Sequence, residues 1–333
     1  MAPSHTPAPL QGLTSVVTGG SRGLGLLMAD RLAARGSTVT LAARDPDELD
    51  RAADLLRARG RHGIRTAVCD VADRAAVRDM MRTAAHGRGG IDTVLACAGI
   101  IQVAPVRDIG AAEFERAMDG IFRGALHTSL EALPYLRESP AGGRLGLIGS
   151  VGGIVAPPHL LPYACAKSAV GALAEGLHAE LAKDGVSVTA VHPGLMRTGS
   201  HLQAEFGGDA GREFGWFSAL AGAPLVSMDA ARAAERIVAA VERRRTRIVL
   251  TPAAKAAAVL HGIAPAATTR LTAVADRLLP APTGTAGGLR KGRDTPPPAH
   301  PVAARLRAWG SALGDRAATA YNERPAAPRP QHR

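Results

Sequence analysis

Asparagine occurs once in the 333 residues, at Asn322, and lysine only four times, although Lys and Arg together number 40. Aromatic residues make up 3% of the chain, and there are three cysteines. Each shortage excludes something. Cys69, Cys97 and Cys165 form no even disulfide framework and lack metal-ligand spacing, so neither a disulfide scaffold nor a metal site is expected. They fit a reducing, cytoplasmic setting as small apolar residues. The longest uncharged stretch, residues 145–166, is broken by four glycines and by Pro157, Pro158 and Pro162, which rules it out as a spanning helix. The opening "MAPSHTPAPLQG" has neither the charged start nor the apolar run of a signal peptide. A net charge of +11 raises the question of a nucleic-acid partner. The basic residues are nearly all Arg and are scattered instead of gathered in a stripe, which reads as compositional bias. No nucleic acid and no membrane span are expected.

What is present is 46% apolar residues in a regular order. Short β-branched runs at 14–18, 37–43, 64–69, 91–97, 144–149, 186–191 and 247–250 alternate with longer amphipathic stretches. Gly36, Gly60 and Gly87 stand where helices should stop. Strict alternation implies βαβ units: a doubly wound, parallel α/β sheet of about seven strands with helices on both faces. That pattern spans about residues 12–251 and places the main domain at 1–251. Residues 252–279 read as two Ala-rich accessory helices split near Pro265. Residues 280–301, rich in Pro and Gly, read as a flexible linker. A helix at about 302–321 within a C-terminal segment 302–333 completes an α-helical extension.

The first strand runs into "TGGSRGLG", Thr18 to Gly25, where a glycine-rich turn opens a helix. Backbone N–H groups there can approach a pyrophosphate, whose charge the helix N-terminus favours. Further along, "YACAK" sets Tyr163 one helical turn before Lys167, which puts both on one helix face. Together these motifs resemble the short-chain dehydrogenase/reductase family, over about residues 12–251. The order of further matches strengthens the resemblance. "CDVAD" carries Asp70 and Val71 at the adenine side, and "CAGI" carries Ala98 and Gly99 in place of the family's NNAG. Ser150 stands 13 residues before Tyr163, and "HPGLMRT" matches the segment in which Pro193, Gly194 and Thr198 meet the nicotinamide half.

The resemblance implies a Rossmann-type dinucleotide-binding and catalytic domain. It gives cofactor contacts to Thr18, Gly19, Ser21, Arg22, Gly23, Leu24, Gly25, Arg44, Asp70, Val71, Ala98, Gly99, Pro193, Gly194 and Thr198, and also to Tyr163 and Lys167. Catalysis falls to Ser150, Tyr163 and Lys167: Tyr163 as acid or base, Lys167 as the charge that tunes it and holds the ribose, Ser150 as the group polarising the substrate oxygen. An ammonium about 4 Å away is worth about 4 kcal/mol at an effective dielectric near 20, enough to draw a phenol toward neutrality. Relatives that prefer NAD(H) carry an acid at the position of Ala43. Here Ala43 is followed by Arg44, and Arg22 lies in the turn, so two guanidiniums are available for a 2′-phosphate and NADP(H) is favoured over NAD(H).

The sequence departs from the family pattern at Ile121, which occupies the place of a relay asparagine. Four of ten aromatics lie between 206 and 217, and by family position His159, Phe214, Trp216 and Phe217 are expected around a bulky, apolar carbonyl or alcohol substrate. The alternative reading of those aromatics is plain packing of the insert. Segments 112–137 and 162–183 are those through which relatives pair, so a homodimer or homotetramer is expected. The expected function is an NADP(H)-dependent oxidoreductase. Its alternative is a cofactor-binding or regulatory relative with little turnover, because Ile121 weakens the proton relay.

Overall fold

Strands and helices alternate in the computed structural model, which describes residues 10–86, 90–223, 226–284, 287–295 and 314–324. The first half comprises β1 (Thr14–Thr18), α1 (Gly23–Ala34), β2 (Thr38–Ala43), α2 (Pro46–Ala58), β3 (Ile64–Val68), α3 (Arg74–Ala85) and β4 (Thr93–Ala96). A two-residue β5 (Gln102–Val103), α4 (Ala111–Ala117), α5 (Gly124–Glu138), β6 (Arg144–Ile148), α6 (Leu161–Leu181) and β7 (Ser187–His192) follow. Then come the short β8 (Met196–Arg197) and β9 (Glu205–Phe206), α7 (Ala210–Gly222), β10 (Met228–Asp229), α8 (Ala230–Glu242) and β11 (Arg247–Val249). Helices α9 (Pro252–Ile263) and α10 (Pro265–Asp276) and the short β12 (Arg290–Lys291) come next.

The main sheet has seven parallel strands in the order β11-β7-β6-β4-β1-β2-β3. This is the doubly wound architecture that the alternation implies. Central strands are buried along their length, as β1 and β4 show, which is why they read as runs of apolar and β-branched residues. One face packs against α1, α2 and α8 through residues such as Leu26, Leu32, Leu56 and Ile237. The other packs against α3, α5 and α6 through Val77, Met81, Leu136 and Val170. Between β1 and β4 the winding reverses, and a crevice opens beyond the carboxyl ends of these strands, where such sheets bind ligands.

Local chemistry sets the helix starts. Pro46 opens α2 after Asp45, whose carboxylate accepts from the Glu48 N–H at 3.0 Å. Asp73 does the same for α3. Helix α1 starts differently: its N-cap Arg22 is extended and makes no side-chain cap. Between α4 and α5 the chain takes a π-helical turn over Met118–Arg123, which turns Ile121 inward until it is 1% exposed.

Part of the stretch expected as linker is ordered into a sheet. Strand β12 pairs antiparallel with β9, which pairs with β5, and the Gly292 N–H donates to Ala204 O at 2.8 Å. Composition gave no sign of this, because unpaired edge groups on β9 supply the driving force. Of the helix expected at 302–321, residues 302–313 lie outside the described residues, while 314–320 are helical. No helix among the described residues is long and apolar enough to cross a membrane. Replacing the α3 cap, Asp73→Ala, should lower stability by about 1 kcal/mol, read from the shift of the urea midpoint at unchanged slope.

Candidate active site

The crevice at the sheet reversal is a cavity of about 680 Å³. Its wall includes Gly19, Ser21, Arg22, Leu24 and Gly25 from the glycine-rich turn, Asp70 and Val71 after β3, and Ala98 and Gly99 after β4. Ser150, Tyr163, Lys167, Pro193, Gly194 and Thr198 complete the part at which the family's motifs converge. Two of the expected cofactor residues do not line it. Thr18 is buried below the turn, where its Oγ1 accepts from the Cys97 N–H at 3.3 Å. Gly23 is covered by another side chain, described below.

The glycines are required by space. A Cβ on Gly19 would come within 2.8 Å of Ala98 Cα, and one on Gly25 would overlap the Gly19 carbonyl oxygen. At Gly19 and Gly23 φ is also positive, +68° and +54°.

Ser150 lies two residues beyond β6 and accepts from the Gly152 N–H at 3.0 Å. Tyr163 and Lys167 share the inward face of α6 near its start. Lys167 is 6% exposed, donates from Nζ to Ile148 O at 2.6 Å and lies 5.8 Å from the centre of the Tyr163 ring. Burial holds the Lys167 ammonium down to about 8 and pushes the Tyr163 phenol up, opposed by a hydrogen bond with Ser150. Burial, and not the charge of Lys167, is thus the leading influence on the Tyr163 phenol. A point charge alone carries no desolvation cost, and here that cost is the larger effect. Burial also pushes the neighbouring Cys97 thiol up to about 11, so it stays protonated. His192, which sequence reasoning passed over, sits behind Ser150 with Nδ1 3.3 Å from the Ser150 carbonyl. Burial lowers its pKa, which keeps it neutral.

At the adenosine side, Arg44 is exposed, lines the cavity beside Ala43, and makes no ion pair among the described residues. Arg22 differs from expectation. Its Nη1 is 2.6 Å from Glu48 Oε1 and its Nε 3.4 Å from Glu323 Oε2, so its charge is already engaged. Ser21 Oγ likewise donates to Glu48 Oε2 at 2.5 Å. Glu48 lies one turn into α2, and nothing in its spacing from the glycine turn foretold the contact.

The substrate end divides the four expected residues. Trp216 and Phe217 line the cavity with Leu160 and Leu220. Phe214 and His159 do not: Phe214 packs edge-on against Phe206 and His201. His159, at φ +63°, turns Nδ1 to Glu213 at 2.9 Å and Nε2 to Asp276 at 3.4 Å. Glu213 is 0% exposed and also accepts from Trp216 Nε1 at 2.6 Å. A buried carboxylate thus ties α7, and with it Trp216, to the loop before α6.

The C-terminal segment 314–324 also reaches the site. Asn322, at φ +60°, donates from Nδ2 to Ser21 O at 2.9 Å and to Glu48 O at 3.0 Å. Glu323 lines the cavity and lies against Gly23. Burial, opposed by Arg22, pushes its carboxyl up to about 8. No group of three or more His, Cys, Asp and Glu side chains among the described residues could hold a metal.

The sequence profile of the short chain dehydrogenase family matches residues 14–205, more than half of the chain. The chain belongs to the short-chain dehydrogenase/reductase family. Like its relatives it is an NAD(P)-dependent oxidoreductase. An uncharacterised oxidoreductase of Staphylococcus aureus is 32% identical over 184 residues, covering 55% of this chain and 78% of that protein. An oxidoreductase of Botryotinia fuckeliana is 33% identical over 190 residues, 56% of this chain and 68% of that one. Among solved structures, a short chain dehydrogenase from Mycobacterium paratuberculosis bound to NAD superposes with a TM-score of 0.64 at 26% identity, covering 73% of this chain and 97% of that one.

Replacing the buried anchor, Glu213→Ala, would strip His159 Nδ1 and Trp216 Nε1 of their shared carboxylate and leave His159 only Asp276. It should cost about 3 kcal/mol in chemical denaturation, with Trp216 fluorescence shifting to the red as α7 loosens.

Proposed function

We propose that this short-chain dehydrogenase/reductase transfers hydride between NADP(H) and a bulky, apolar carbonyl or secondary-alcohol substrate, with Tyr163 as the acid and base. The observation that carries this reading is the convergence of Ser150, Tyr163 and Lys167 on the same cavity as the glycine-rich turn. The residues present fit a nicotinamide dinucleotide. Gly19 and Gly25 have no room for side chains, and α1 offers an N-terminus that no side chain caps. Arg44 beside Ala43 supplies a guanidinium, without an ion pair among the described residues, where a ribose 2′-phosphate would need one. When bound, the nicotinamide supplies or accepts the hydride.

The chain's own residues do the rest. In reduction, Tyr163 gives its phenolic proton to the carbonyl oxygen, and Ser150 donates a hydrogen bond to the same oxygen. In oxidation both transfers reverse. Lys167, buried beside Tyr163, favours the phenolate form of Tyr163 whenever it carries its proton. Trp216, Phe217, Leu160 and Leu220 present an apolar wall that favours a hydrophobic substrate body and excludes water from the reacting carbon.

A second reading is favoured by Ile121. An alkyl side chain, 1% exposed, stands where a relay asparagine belongs, with its Cγ1 3.4 Å from an ideal Cβ on Gly99. In this reading the protein binds the dinucleotide but turns over slowly. NADPH-dependent reduction of a panel of apolar ketones and aldehydes separates the two. Tyr163→Phe should lower kcat at least 100-fold while NADPH still binds. Equal, slow rates for wild type and this variant would favour the binding protein, and a gain of rate in Ile121→Asn would identify the missing relay as the cause. For the cofactor, Arg44→Ala should weaken NADPH binding about tenfold or more and leave NADH binding nearly unchanged, as read by calorimetric titration. Equal losses for both would argue against NADP(H) preference.

A further inference from the structure

One buried carboxylate has no task in the chemistry above. Glu323 is 3% exposed, and its Oε1 lies 2.5 Å from where a Cβ on Gly23 would stand, with Thr198 Cβ 4.0 Å from the same point. Gly23 opens α1, and Thr198 is the residue that family position brings to the amide or phosphates of the cofactor. The carboxylate therefore fills the gap between two groups expected to meet the dinucleotide. The Gly23 N–H, an orphan donor at the start of α1, is already given to Tyr321 O at 2.9 Å. A helix N-terminus attracts an anion, and here a carboxyl group of the chain itself fills the place where one would sit.

The contact is held from outside the site. Asn322 is pinned to Ser21 O and Glu48 O through Nδ2, and the residues of 314–320 lie on Gly199, where any Cβ would overlap Ala318. Inside the site it is poorly satisfied. Glu323 Oε2 is buried without a hydrogen bond, and Glu48 and Glu323 share one guanidinium, Arg22. A dinucleotide diphosphate would have to enter where the Glu323 carboxyl already sits against Gly23, beside Glu48 and the guanidinium that both side chains share. Such a contact favours the closed arrangement only until a competing anion with more donors to satisfy arrives.

We infer that the C-terminal segment 314–324 is an internal competitor of the cofactor: Glu323 takes the diphosphate position at the start of α1, and the dinucleotide binds after the segment has lifted away. This rests on the dinucleotide reading of the site. Because the bound state then forms only from the open fraction, the apparent affinity of the full chain is lower than that of the open site by that fraction.

The test is calorimetric titration of the full chain with NADPH and NADH, comparing wild type, Glu323→Ala and Ala318→Asp. The first variant removes the side chain that occupies the start of α1, and the second sets a buried charge against Gly199 to detach the segment. Hydrogen exchange of wild type with and without NADPH follows the Glu323 N–H, which is held by Ala318 O at 2.9 Å. Both variants should bind NADPH about tenfold or more tightly than wild type, and NADPH should speed exchange across 314–324. Equal affinities in all three forms would overturn the inference. So would slower exchange with NADPH, which would show the segment closing over the cofactor. If no form binds either dinucleotide, the cofactor reading itself fails and the competitor has nothing to exclude.

Discussion

The site depends on one constraint: three backbone segments meet at the sheet reversal with no room for side chains between them. Gly25 lies so close to the Gly19 carbonyl that a Cβ would overlap it, and Gly19 meets Ala98 at the end of β4 in the same way. With those hydrogens in place, β1 can turn into α1 directly at the crevice mouth, and the uncapped start of α1 faces the cavity. The order of the strands then brings β6 and α6 to the other side. Ser150, Tyr163 and Lys167 are thus set against the glycine turn by topology, though they are far from it in sequence.

Burial has two opposite consequences there. It strengthens any interaction between charges, but it also disfavours the charges themselves. Lys167 is buried and Tyr163 half-buried, and burial drives both toward their neutral forms. Glu323 is driven the same way on the far side of the cavity. A site built like this is poised for a ligand that brings hydroxyl groups and charge of its own. It also leaves a protonated Cys97 inert and a neutral His192 as a prop for the Ser150 backbone.

Much of this was legible in the sequence because it is encoded locally. The seven sheet strands follow from period and β-branched composition, and Tyr163 with Lys167 from a one-turn spacing. What was not legible depends on distant segments. Arg22 could be read as a phosphate ligand until α2 brought Glu48 against it. His159 could be placed by the cleft until α7 brought a buried Glu213 to its ring. The single asparagine is the clearest case. Its absence near Ile121 was visible at once, but its place at φ +60° over Ser21 and Glu48 requires the docked C-terminal segment, which no local pattern announces. Strand β12, in a stretch rich in Pro and Gly, is hidden for the same reason.

Isotope transfer probes hydride chemistry at this site most directly. The full chain would be incubated with NADPH deuterated at nicotinamide C4 and with apolar ketones and aldehydes, and the alcohols examined by mass spectrometry. Deuterium on the carbinol carbon, lost with Tyr163→Phe, is the expected result. Tight NADPH binding with no label in any product would contradict the oxidoreductase mechanism and leave a protein that holds the cofactor without using it.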